Sequence, residues 1–211
     1  SRAFQVGNVH LLKVSPKMTA SHSQIENITS DLKAARARVH RLEQDFPEEQ
    51  WEKRNDPNRW SIAECIEHLN LTTQAYIPVL TAALSGAPPL RTKRNLHRDF
   101  VGVLLGALTA PIRTIAGFQL GKMPTTRDFE PSAALARDDV VRNFESGQNT
   151  LLAFASDAEN YEIDRVKIAS PFNPKVRYNI YSALRIVAGH QHRHLAQAEA
   201  VWSDGVRPAT R

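Results

Sequence analysis

Cysteine is almost missing from this chain: Cys65 is the only one among 211 residues. That excludes an internal disulfide and any paired-cysteine zinc spacing, and it suits a reducing, cytoplasmic setting. No apolar run approaches the roughly 18 residues of a membrane span. No glycine-rich phosphate loop and no Gly-x-Ser-x-Gly elbow occurs, so neither that phosphate cradle nor that serine nucleophile is expected. Strand signals are scarce, and there is no internal repeat or low-complexity tract. The formal charge of +5 comes without a long Lys/Arg block. It is explained by solubility, and nucleic acid is not an expected partner.

What is present is helical periodicity. From Ser21 to Phe46 the apolar residues Ile25, Ile28, Leu32, Ala35, Val39, Leu42 and Phe46 alternate at spacings of three and four, a bundle seam closed by Pro47. Ser61-Ile62-Ala63-Glu64 reads as a capping box that starts a second helix, which runs to about Leu84 with Pro78 inside it. A third helix spans about Arg137 to Asp157, and a fourth about Asn179 to Trp202. Between the second and third lies a long crossover. It reads as two short helices, Phe100–Leu108 and Ile112–Leu120, divided by Pro111, then an extended stretch from Met123 to Pro131. Residues 158–178, with Pro171 and Pro174, form an irregular connection. The expected fold is all-α: a four-helix bundle with a long crossover carrying short extra helices, over residues 19–203. Residues 1–18 read as an N-terminal extension or a leader ahead of a start at Met18, and 204–211 as a tail.

Three of the eight histidines fall at 190, 192 and 194. At about 100° per residue, His190 and His194 lie one turn apart and roughly 40° from each other on the apolar arc, while His192 points to the far side. Such a pair can share a metal ion, or it can be two hydrogen-bonded side chains. His68 lies at the edge of the inner stripe of the second helix; alone it reads as a histidine bonded to Glu64 or Thr72. Cys65, one turn earlier, reads as a small core residue. Arg91, Arg94, Arg98 and Arg113 form a basic surface in reach of an anionic cosubstrate, with solvation the simpler reading.

Taken together these segments resemble a family. Trp60-Ser61 followed by His68-Leu69 is similar to the Trp-Ser-x6-His-Leu signature of the DinB-like superfamily. His190-Gln191-His192-Arg193-His194-Leu195-Ala196-Gln197 is similar to its His-x-x-Arg-His-x-x-Gln. The stretch ending in Phe129-Glu130-Pro131 resembles a family segment ending in Phe-x-Pro. The resemblance covers roughly residues 20–202. It implies a bundle holding a divalent metal, zinc or nickel, on His68, His190 and His194, with Gln197 as a supporting residue or a packing one. It implies a metal-dependent enzyme acting on a small-molecule substrate around a low-molecular-weight thiol, as an S-transferase or hydrolase. The alternative is a non-catalytic metal-stabilised module for binding or assembly. Pairing as a homodimer through a helix face fits such bundles. No catalytic acid or base can be named from the residues.

Overall fold

The computed structural model describes residues 20–92, 94–109, 114–115, 118–119, 127–132 and 135–205, with backbone alone at 20, 114–115, 118–119 and 202–205. Residues 1–18, Arg113 and the stretch from 123 to 126 lie outside these, along with the expectations placed on them.

Four long helices form the bundle: α1 (Ala20–Asp45), α2 (Ile62–Ser85), α4 (Arg137–Ala158) and α5 (Ile180–Gly205). A shorter helix, α3 (Phe100–Thr109), stands in the crossover and packs on α5. Each of α1 and α2 packs on both α4 and α5. Helices joined directly in sequence therefore sit diagonally, and the connections cross the bundle ends. Trp51, fully buried in the first connection, fills one of them.

The seam of α1 is buried along its whole length, with Ile28, Ala35 and Val39 at 0% exposure. Sealing each large apolar side chain of this kind contributes about 1.5–3 kcal/mol relative to leaving it exposed. The start of α2 is the capping box its sequence requires. The Glu64 amide donates to Ser61 Oγ at 3.2 Å, and the Ser61 amide donates to Glu64 Oε2 at 2.8 Å. The helix continues through Pro78. Asn179 caps α5 by accepting from the Ser182 amide at 2.8 Å.

Two segments differ from expectation. The irregular connection contains a hairpin: β3 (Lys167–Ser170) pairs antiparallel with β4 (Asn173–Asn179), placing Ile168 opposite Tyr178. Its strands are short, and Pro171 and Pro174 hide the alternation; Pro171 sits in the turn, and Pro174 is tolerated because a two-stranded hairpin has free edges. The second short helix of the crossover is replaced by strands. β1 (Thr114–Ile115) pairs with β2 (Phe118–Gln119). Thr114 and Ile115 are β-branched and Gly117 follows, a composition that favours a tight reversal over a helix after Pro111. The fold remains mainly all-α.

The crossover and the hairpin are tied to the bundle by polar contacts. Asp99 accepts from the Gly102 amide at 2.9 Å, the Ser182 hydroxyl at 3.1 Å and the Asn179 amide at 3.0 Å. A Cβ on Gly102 would overlap Ser182 Oγ, so only glycine allows α3 to lie this close to α5. Arg94 holds Asp164 with two bonds of 2.6 Å. Together α3 and the hairpin wall off one side of α2 and α5. Among the described residues, no helix is long and apolar enough to cross a membrane.

Candidate metal centre

α2 and α5 pack side by side, which brings His68 to the pair on α5. One donor nitrogen from each of His68, His190 and His194 lies within 4.8 Å of those of the other two. His68 Nε2 and His190 Nε2 are 3.3 Å apart. Imidazole nitrogens about 2.0–2.1 Å from a tetrahedral zinc stand about 3.3–3.4 Å from one another. The His68–His190 spacing therefore already matches one edge of such a coordination shell. The ring centroids lie 4.4 Å apart for His68–His194 and for His190–His194, and 5.1 Å for His68–His190.

Each ring is held by its neighbours. His68 Nδ1 lies 2.8 Å from the Phe129 carbonyl oxygen. A carbonyl only accepts, so Nδ1 carries the hydrogen and Nε2 of the neutral ring presents a lone pair toward His190. Phe129 belongs to a single 3-10 turn, Arg127–Phe129, in the crossover. This gives the Phe-x-Pro stretch a physical role: its backbone selects the His68 tautomer. Trp60, the residue before the capping box, stacks on His194 with ring centroids 5.8 Å apart and tilts onto His68 at 4.9 Å.

The electrostatics keep the rings neutral. Burial pushes His68, His190 and His194 below the ordinary histidine range, His190 to about 3, and the Arg193 charge lowers all three further. His190 is only half-buried, because one edge opens on a cavity while protein encloses the rest. His194 Nδ1 is buried without a hydrogen-bond partner. The Gln197 side chain lies near enough to favour the charged ring slightly, but no bond of normal geometry forms. Three neutral nitrogen donors, one of them oriented from behind by a carbonyl and another ring left with an orphaned nitrogen, fit a divalent transition metal.

The cavity has a volume of about 370 Å³ and reaches all three rings. Its walls are largely apolar, with Leu105, Phe129, Phe172, Val176 and Ile186. A buried hydroxyl pair, Tyr76 and Tyr178, bonds at 2.6 Å beside it, and burial raises both phenols. No Asp or Glu lines it among the described residues.

The other sequence candidates fall elsewhere. His192 meets α1, where Arg38 donates to its Nδ1 at 3.0 Å, so it is half-buried rather than facing open water. Cys65 is core, 1% exposed, with burial pushing its thiol up to about 12. Arg94 is paired with Asp164, Arg91 is exposed and Arg98 bonds the Gly102 carbonyl; none lines the cavity. The arginine that does is Arg193. Helical phasing places it about 60° from His190, on the side opposite His194, so the signal was present in the sequence. Trp60 likewise stood in a quoted motif without a role. The hairpin residues Ser170, Phe172 and Asn173 on the cavity wall had no local signal.

The family model of the DinB superfamily matches residues 31–198, most of the chain. No curated protein and no solved structure matches it. The chain belongs to the DinB superfamily.

Proposed function

We propose that this DinB-superfamily chain is an enzyme that holds zinc or nickel on His68, His190 and His194 and activates a small-molecule thiol for transfer. The observation that carries this is the opening of the three-histidine cluster onto a largely apolar cavity of about 370 Å³. A purely structural zinc site completes its shell with protein ligands, whereas a catalytic one keeps a position free. That contrast supports an enzyme over a metal-stabilised binding module.

A bound ion would supply Lewis acidity and lower the pKa of a coordinated thiol or water. His68 is oriented for it by the Phe129 carbonyl, and Trp60 restrains His68 and His194 from one side. Gln197 lies one turn beyond His194 without a formed bond to its ring. The apolar wall excludes water from whatever binds there. Because the described wall offers no carboxylate base, a nucleophile that ionises readily suits the site better than water. This favours thiol transfer over hydrolysis. The chain's own Cys65 is not that thiol, since it is buried in the core.

Metal analysis of protein purified without nickel resin tests the reading. About one equivalent of a transition metal per chain is expected, with His68→Ala and His194→Ala each removing it. Less than about a tenth of an equivalent, unchanged in those variants, overturns the proposal.

A further inference from the structure

Arg193 stands on α5 between His190 and His194 and is 7% exposed. Its Nη1 donates to the Leu108 carbonyl at 2.8 Å. Its Nε is buried and has no partner. Among the described residues no Asp or Glu forms an ion pair with it. No Asp or Glu occurs in the sequence between Asp99 and Asp128. Asp204 is the one acidic side chain outside the described residues. It lies eleven residues further along the same helix, about 16 Å along the axis.

A buried guanidinium with a single neutral acceptor is costly, since the desolvation of the ion is not repaid by a counter-charge. Elsewhere this fold sets its partly buried arginines beside an acid: Arg38 pairs with Glu199, Arg94 pairs with Asp164, and Arg98, bonded to the Gly102 carbonyl, stands next to Asp99. At Arg193 it does not, and the three rings beside it are neutral. An ion on those rings would add positive charge rather than offset it. Nη2 is the guanidinium nitrogen neither bonded nor sealed from the cavity, and it can donate a charge-assisted bond to a carboxylate oxygen.

We infer that the cavity takes a small amphipathic organic anion, its carboxylate or comparable oxyanion on Arg193 and its apolar body along Phe129, Phe172, Val176 and Ile186. The inference rests on the proposed function for treating the cavity as a substrate site. Arg193's need for a counter-charge holds with or without the ion.

The test compares 3-phenylpropionate with its neutral amide, 3-phenylpropanamide, by titration calorimetry on zinc-loaded and chelator-treated full-length protein. The acid is expected to bind at least about tenfold tighter than the amide in both forms. Arg193→Gln should remove that preference in both, and Arg193→Lys should keep part of it. Melting of Arg193→Met without added acid provides a second measurement, expected no lower than wild type because an uncompensated charge is lost. Equal binding of acid and amide overturns the inference, as does a preference that survives Arg193→Gln. No detectable binding of the acid at about 10 mM overturns it too. A preference seen only with zinc bound also overturns it, because the ion rather than Arg193 then recognises the anion. Retained preference in a protein that takes up no metal supports this inference while sinking the metal reading.

Discussion

The two flanks of α5 use the same residue types for opposite ends. On the flank facing α1, Arg38 donates to both Glu199 oxygens at 2.7 Å and to His192 Nδ1 at 3.0 Å. Every charge there has a counterpart, and the cluster joins two helices. On the flank facing α2, His190, Arg193 and His194 border a cavity, and neither the guanidinium nor the His194 Nδ1 is satisfied by protein. The first arrangement is complete in the folded chain. The second leaves polar atoms unpaired within the described protein, and the proposed binding role rests on that difference.

The largest contrast should come from the histidines. His194→Ala is expected to abolish metal uptake, whereas His192→Ala should leave it near wild type; mass spectrometry of the purified proteins checks both. If His192→Ala lost metal equally, the distinction between the flanks would fail.

Next in size is the response to acid. In metal-free protein the folded His68, His190 and His194 titrate below their unfolded value of about 6.5. Between the two values the unfolded chain binds more protons, so stability is present above about pH 6.5 and is lost as pH falls toward 3. Melting temperatures measured from pH 7.5 to 4.5 should drop less steeply in His190→Gln than in wild type. Bound metal should move the drop to lower pH, because protons must then displace it.

Arg38 offers a smaller and opposite test. Its head is partly exposed and Glu199 more so, which limits the pair's worth. Arg38→Met is expected to lower stability by about 0.5–1.5 kcal/mol, measured by urea unfolding, while metal uptake stays intact. Arg193→Met should leave it unchanged or raise it, because an uncompensated buried charge is lost. The smallest effect belongs to Gln197→Ala. With no formed bond to His194, it should weaken metal affinity by only a few-fold, below the roughly 10–100-fold usual for direct supports of a ligand. Competition with a chromogenic chelator measures it, and a larger loss would give Gln197 a tighter hold on the ring than its geometry indicates.

Much of the frame could be read from local pattern. The α1 seam, the Ser61–Glu64 box and the phasing of His190 against His192 all depend on residues within one or two turns, and helix geometry makes such neighbours face one another regardless of context. The hairpin could not be read, because four residues of alternation interrupted by prolines carry too little periodicity. The crossover strands failed for a related reason: a run broken by Pro111 has no period long enough to separate a helix from a turn.

Sequence alone determined that two imidazoles would share one face of the last helix, and motif resemblance supplied His68 as the third. Only the packing of α2 on α5 decided that Nε2 of His68 would stand 3.3 Å from a residue 122 positions away. Only the tertiary structure showed Phe129 behind the ring and no acid beside Arg193. The reason is one of range. Helical phase follows from a constant rotation per residue, whereas the partner a side chain finds, or fails to find, depends on which distant segments share its space.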